Sequence, residues 1–417
     1  MKTVKRMLPL MPTTRGADVL RICLRICLRN SLPIKLRHGA LLVCALLTAC
    51  ATVLPPAPSA PILHDALFSP PQPAPDASEV FALSDEMRAY VARELAPLAR
   101  HADPRRELIA ALYSKGRLQL DYDGSNTRSA SQAFASRSGN CLSLVIMTAS
   151  FAHQLGLPVS FQAVQTEDFY SRSGGLYMAS GHVNLVLGPP TTRVGYSRGG
   201  REYLTIDFIP QDELRGQRTR PLEEKTIVAM YLNNRAAETL AAGHLDEAYG
   251  YARAALLQDP GFFNASNTLG VIYNRAGHAG PAEAAFRHTL AGDGDHVSAL
   301  SNLVKLLLHQ NRGNETAAWV ARLDRLQPVP PFQQFNLGRE ALDAGDPALA
   351  RDHFLRELRL QPYQDEVHFW AAQAYWRLGQ AERAQHHLRQ AVEYSGNRKT
   401  HDRYAAKLEG LRHGAVQ

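Results

Sequence analysis

Cysteine is scarce in this 417-residue chain. Of five, Cys23, Cys27, Cys44 and Cys50 fall within the first 50 residues, so Cys141 is the lone thiol of the remainder. A lone thiol excludes an internal disulfide framework and a cysteine-rich zinc site. Histidine gives no substitute: sixteen are present, but none has metal-ligand spacing, and the adjacent His386 and His387 point apart on a helix. No cofactor is expected either, because phosphate-cradling loops are missing and Arg198-Gly199-Gly200-Arg201 reads as a hairpin turn. Tryptophan is absent from the first 318 residues; Trp319, Trp370 and Trp376 are the three present. No apolar run reaches the roughly 20 residues that span a bilayer. Excess charge is also missing from the body of the chain. Nine of the 46 Lys/Arg and one of the 39 acidic residues precede Cys50, which leaves 37 basic against 38 acidic. The formal charge of +7 therefore belongs to the N-terminal stretch, and nucleic acid is excluded as an expected partner.

That stretch has the anatomy of a secretory leader, with basic residues to Arg37, a short apolar run from Ala40 to Leu47, then Thr48-Ala49-Cys50. Ending so, residues 1–50 resemble the signal peptide and lipobox of bacterial lipoproteins, which implies acylation of Cys50 and a lipid-anchored place in the cell envelope. In that family an aspartate after the cysteine retains the protein in the inner membrane. Ala51 stands there, so the resemblance implies the outer membrane, facing the periplasm. Met7 and Met11 are alternative starts. Residues 51–80, with Pro55-Pro56-Ala57-Pro58 and Pro70-Pro71-Gln72-Pro73, read as an extended tether.

From residue 81 to 226 the pattern is helix-rich and then strand-rich, which predicts an α+β domain. Ser84 caps a helix carrying Met87, Val91 and Leu95; further helices are expected over Pro104–Ser114, Ser129–Ser136 and Cys141–Leu155. Strands are expected at Leu118–Tyr122, Val159–Val164, His182–Leu187 and Tyr203–Phe208. Residues 227–417 change period. Pro260, Gly294, Pro328, Pro362 and Gly396 recur every 34 positions, and Gly-x4-Ala units begin at Gly243, Gly277, Gly313, Gly345 and Gly379. The period and these units resemble the tetratricopeptide repeat, implying an all-α solenoid of about five helix pairs. In the third unit the glycine comes two positions late.

Chemistry concentrates before the repeats. Gly139-Asn140-Cys141 places the thiol at a predicted helix N-terminus, where backbone N–H groups favour thiolate. A thiol nucleophile needs a base and a group that fixes the base. His182 opens one strand and Asp207 sits in the next, so an antiparallel neighbour would set Asp207 opposite His182. The runs Thr127–Phe134, Arg137–Cys141, Gly181-His182-Val183 and Ile206-Asp207-Phe208 resemble the bacterial transglutaminase-like domain. The resemblance implies a papain-like core with Cys141 as nucleophile, His182 as base and Asp207 as orienting acid. The Cys141 N–H is the natural oxyanion donor. Animal-type transglutaminases add an upstream tryptophan, absent here, so Asn140 and Tyr122 are the candidates for the second donor.

Three functions follow as expectations. The first is a thiol hydrolase cleaving peptide or isopeptide amide bonds, with repeats that hold a substrate or protein partner in their groove. The second is a scaffold lipoprotein with a pseudoenzyme domain, and the third is amine transfer. Asn184, on the face of His182, touches substrate or makes a strand-edge hydrogen bond; His153 is a surface or core residue. Glu167–Ser180 is a flap over the cleft or an ordinary loop.

Overall fold

The computed structural model describes residues 62–99, 101–114, 117–124, 126–173, 176–188, 203–208, 218–395 and 398–412, with only the backbone path over 165–173 and 176–180. The leader, Cys50 and the expected turn at Arg198–Arg201 lie outside the described residues.

Helix α1 (Asp85–Tyr90) starts as its sequence predicts, with Ser84 Oγ accepting from Met87 N at 3.3 Å. A π turn, Val91–Leu95, and α2 (Ala96–Ala99) continue it. Pro104 at the first position and the Asp103 cap begin α3 (Pro104–Tyr113). Ser129 and Gln132 form a reciprocal capping box on α4 (Ala130–Ser136), which ends at Arg137 in the left-handed region. The central element is α5 (Cys141–Gln154), buried from Leu142 to Ala152 and laid against the sheet. Tyr90, Phe134 and Phe151 meet behind it with ring centroids 5.7–5.9 Å apart.

Two sheets flank this helix. The small one pairs β1 (Asp121–Tyr122) in parallel with β2 (Ser138–Gly139), so the strand expected from Leu118 is only two residues long. The larger has the order β5-β4-β3-β6, built from β3 (Val159–Ser173), β4 (Leu176–Leu187), β5 (Leu204–Ile206) and β6 (Arg218–Leu222). Residues 167–173 and 176–180, within the segment expected as a flap or loop, prolong β3 and β4 into one antiparallel arm with a register shift between Val164 and Phe169. Continued pairing past the bulge satisfies backbone groups that a loop would leave to water.

Beyond the sheet come α6 (Glu224–Ala241) and α7 (Leu245–Gln258), then α8 (Phe263–Arg275) and α9 (Ala279–Gly292). Next are α10 (Val297–His309), α11 (Gly313–Leu326), α12 (Gln333–Asp343) and α13 (Pro347–Leu360). The array ends with α14 (Asp365–Arg377), α15 (Ala381–Glu393) and α16 (Arg398–Arg412). Five antiparallel pairs and a closing helix thus follow the 34-residue period. The turn glycines Gly243, Gly277, Gly345 and Gly379 all have φ between 72° and 90°. In the third pair that place is taken by Asn311 at φ 57°, while Gly313 opens α11. The late glycine is therefore not the turn residue; asparagine tolerates the left-handed region and fills the role.

A continuous core runs from Val80 through α5 and the sheet into the repeats as far as Leu307. The tether expected over residues 51–80 needs correcting at its C-terminal end. Ile62, Leu63 and Phe68 pack on this core, and the stretch is hydrogen-bonded to α7 and α8. Its proline content allows an extended path, but aromatic and acidic side chains between the prolines find partners on the repeats.

Candidate active site

Local hydrogen bonding fixes the start of α5. Asn140 caps it, its Oδ1 accepting from Ser143 N at 2.9 Å and Ser143 Oγ at 2.7 Å, while its Nδ2 donates to Thr127 Oγ1 at 3.0 Å. Arg128 N donates to Ser143 Oγ at 2.8 Å, which ties the preceding segment to the same turn. Gly139 is required here because a Cβ would stand 2.7 Å from Ser143 Cβ. These contacts put Cys141 on the first helical position with its side chain partly exposed. The Asn140 oxygen thus serves the cap and one of its two amide hydrogens serves Thr127, so its expected part as an oxyanion donor rests on the second hydrogen.

His182 and Asp207 come together from β4 and the end of β5. His182 Nε2 lies 2.6 Å from Asp207 Oδ1, with the two side chains 4% and 9% exposed. The strand register differs in detail from a direct pairing. Leu185 faces Ile206 and Val186 faces Thr205, so continuing the ladder sets Asp207 across from Asn184. Asp207 reaches His182 diagonally, and Asn184 Nδ2 donates to its other oxygen at 3.0 Å. Asn184 is thus a clamp on the acid. Its two-residue offset from His182 was the available signal, since alternate residues share a strand face. Tyr113 Oη donates to the Asp207 carbonyl at 2.9 Å and its ring lies 6.1 Å from Phe208, which pins this end of β5.

The other imidazole nitrogen, Nδ1, is buried and makes no hydrogen bond of ordinary geometry. Cys141 is close enough to act on the ring. Burial pushes the His182 pKa down, but the Asp207 hydrogen bond, then the hydrogen bond and charge of Cys141, outweigh it and raise it to about 9. At neutral pH the imidazolium is favoured. The β1–β2 pairing sets Tyr122 opposite Gly139, two residues ahead of Cys141. Although the tyrosine is 57% exposed, desolvation, then the charge of Cys141 and that of Asp123, push its hydroxyl up to about 12. It remains a proton donor across the physiological range. His153, by contrast, sits in the last turn of α5, 3.7 Å from Glu224.

A set of residues with no sequence signal supports this site from the repeats. Thr127 N donates to Glu238 Oε1 at 2.6 Å, and Asn234 Nδ2 donates to Thr127 Oγ1 at 3.2 Å. Both partners lie on α6, more than 100 residues away. Among the described residues, no group of three or more His, Cys, Asp or Glu could hold a metal. No described helix is long and apolar enough to cross a membrane.

No family model matches the chain, and no curated protein matches it significantly. Solved structures do. PilF of Pseudomonas aeruginosa is 21% identical, with 46% of this chain and 96% of that one covered at a TM-score of 0.27. TTC0263, a thermophilic TPR protein of Thermus thermophilus, is 17% identical over 43% and 99% at 0.29. YrrB, a TPR protein with an unusual peptide-binding site, is 18% identical over 43% and 92% at 0.24. This chain's own geometry has five helix pairs, a 34-residue period and left-handed turn residues. The C-terminal half is a solenoid of tetratricopeptide-like repeats.

Proposed function

We propose that the chain is a thiol hydrolase of amide bonds in the bacterial envelope, anchored through Cys50, with repeats that bind a protein or peptide. The observation that carries this reading is the His182–Asp207 contact at 2.6 Å, with the opposite imidazole nitrogen buried, no partner of ordinary geometry on it, and Cys141 near enough to raise the ring's pKa. A structural histidine would satisfy both nitrogens; one held ready for a sulfur need not.

In this reading Cys141 Sγ attacks the amide carbonyl carbon, and the carbonyl electrons move onto oxygen. The Cys141 N–H and the Tyr122 hydroxyl face that oxyanion. As the tetrahedral intermediate collapses, the C–N bond breaks and His182 passes its proton to the departing amine, leaving a thioester. Neutral His182 then takes a proton from water, whose oxygen displaces the sulfur to give the acid. Asp207 remains ionised throughout and, with Asn184, holds the ring. An amine in place of water would give transfer.

Alkylation provides the test. The folded chain should react with iodoacetamide at Cys141 and lose hydrolysis of envelope peptides. Cys141→Ala should fold normally, show no turnover and retain bound envelope peptides for identification by mass spectrometry. His182→Ala should cut turnover by about 10²–10⁴-fold. A wild-type chain that neither reacts with the reagent nor cleaves any envelope peptide would make it a scaffold acting through its repeats. Incorporation of a labelled primary amine would assign transfer.

A further inference from the structure

We infer that one face of α7 and the adjoining side of α8 form a binding site for peptides that carry a carboxylate three residues ahead of an aromatic ring across a single 3-10 turn, and that residues 62–71, with the turn Asp65–Leu67, fill it in cis. The inference is independent of the triad. Asp65 is gripped by Tyr249 Oη at 2.7 Å and Arg253 Nε at 2.8 Å. Phe68 stacks on Tyr249 with centroids 4.3 Å apart and planes 9° from parallel, and its edge meets His278 at 6.1 Å. The backbone is read as well. Tyr273 Oη donates to Ile62 O at 2.8 Å and accepts from His64 N at 3.1 Å, and Asp246 Oδ1 accepts from Ser69 N at 3.0 Å.

The repeat does not itself call for these residues. Asp246, Tyr249 and Gly250 lie on one face of α7 with Arg253, and 34 positions later Gly280, Glu283 and Ala284 stand in place of the first three, while the arginine recurs as Arg287. Gly250 is the most telling. Glycine inside a helix is destabilising relative to alanine, but here a Cβ would stand 2.4 Å from Pro71 Cγ. Helix stability is given up to admit the segment. The grip is nevertheless reversible in kind, since the Asp65–Arg253 pair is 60% and 40% exposed and solvent-screened. Side-chain specificity, main-chain recognition and a screened ion pair together describe an exchangeable ligand. A partner peptide with the Asp-x-x-Phe pattern would displace the cis segment against its high effective concentration.

The test uses the full chain with Asp65→Ala and Phe68→Ala, which empties the site, and a fluorescein-labelled peptide of residues 61–72 read by anisotropy. The emptied chain should bind the peptide at least 10-fold more tightly than wild type. Adding Arg253→Ala should weaken binding at least 5-fold, and a peptide with both key residues changed to alanine should not bind. A folded, emptied chain that ignores the peptide, or binding indifferent to Arg253→Ala, would overturn the inference. So would concentration-dependent dimerisation of wild type abolished by Arg253→Ala, which would make the occupant a second copy. Should the double variant not fold, hydrogen exchange on wild type decides. Amides of His64 and Ser69 exchanging well ahead of those in α7 and α8 support exchange of the ligand, whereas exchange only with global unfolding makes the segment a fixed part of the fold.

Discussion

At the residue scale the decisive group is His182, because in the proposed mechanism its protonation sets both the leaving-group step and the charge beside Cys141. Its pKa is raised, so the imidazolium and the contacts it makes with Asp207 and Cys141 are fully present below the ordinary histidine value of 6.5 and are lost as pH climbs through about 9. Turnover should therefore fall on the alkaline side with a midpoint near 9, measured as kcat/KM against pH. Asn184→Ala removes the second hold on Asp207 without touching sulfur or imidazole. It should lower kcat about 10-fold, leave KM nearly unchanged and move the alkaline limb, because Asp207 would sit less firmly against Nε2. A limb unmoved by Asn184→Ala would assign that residue to fold stability alone. The meeting of His182 with Asp207, and the place of Cys141 at a helix start, were legible in the sequence through strand order and the Gly139-Asn140 turn. The role of Asn140 was not, because an asparagine before a helical cysteine serves a cap and an oxyanion hole equally well until its partners, here Ser143 and Thr127, are known.

Among the elements, the third helix pair shows how a periodic pattern can be right while its parts are misplaced. The 34-residue spacing located all five pairs, since a helix pair that buries one face on its neighbours must repeat that face. The Gly-x4-Ala unit failed only where Asn311 took the left-handed turn and Thr316 took the small buried position. The long β3–β4 arm was missed for a different reason: polar residues over 165–173 conceal a continuation of β3 that pairs with its neighbour in sequence, β4. The weak third pair also has a consequence for packing. Thr316 is the one buried residue of α11, and the core that begins at Val80 stops at Leu307, with Phe335 and Phe354 opening a separate cluster. Phe354 is fully buried and packs where a Cβ on Gly338 would stand 2.6 Å away. Phe354→Ala should cost about 3–5 kcal/mol, and the loss should appear in the distal pairs first. Tryptophan fluorescence, to which Trp370 and Trp376 contribute from the distal pairs, should melt earlier while alkylation of Cys141 keeps its wild-type rate at the same temperature. Simultaneous loss of both signals would show that the two cores unfold as one.

On the scale of the whole molecule, α6 belongs to two structures at once. It opens the repeats, and through Asn234 and Glu238 it holds Thr127, which in turn holds the Asn140 cap of α5. Glu238 is where this joint can be tested. Burial raises its pKa against the opposing pull of Thr127 and Arg235, so the joint is most favourable below the usual glutamate range, and ionisation at higher pH works against folding. Its useful feature is then the acceptor oxygen 2.6 Å from Thr127 N, more than the charge it shows Arg235 at 2.9 Å. Glu238→Gln keeps an acceptor in place and removes the cost of ionisation, so it should stay within about 1 kcal/mol of wild type at pH 7. Glu238→Ala leaves Thr127 N without its partner and should cost about 1–3 kcal/mol, with slower Cys141 alkylation because the cap loosens with the loop. Thermal melts at pH 5 and 7, run beside alkylation rates, separate the two variants. Equal destabilisation by both would assign the joint to the Arg235 ion pair, and unchanged alkylation in Glu238→Ala would mean that the repeats support the domain without reaching its nucleophile.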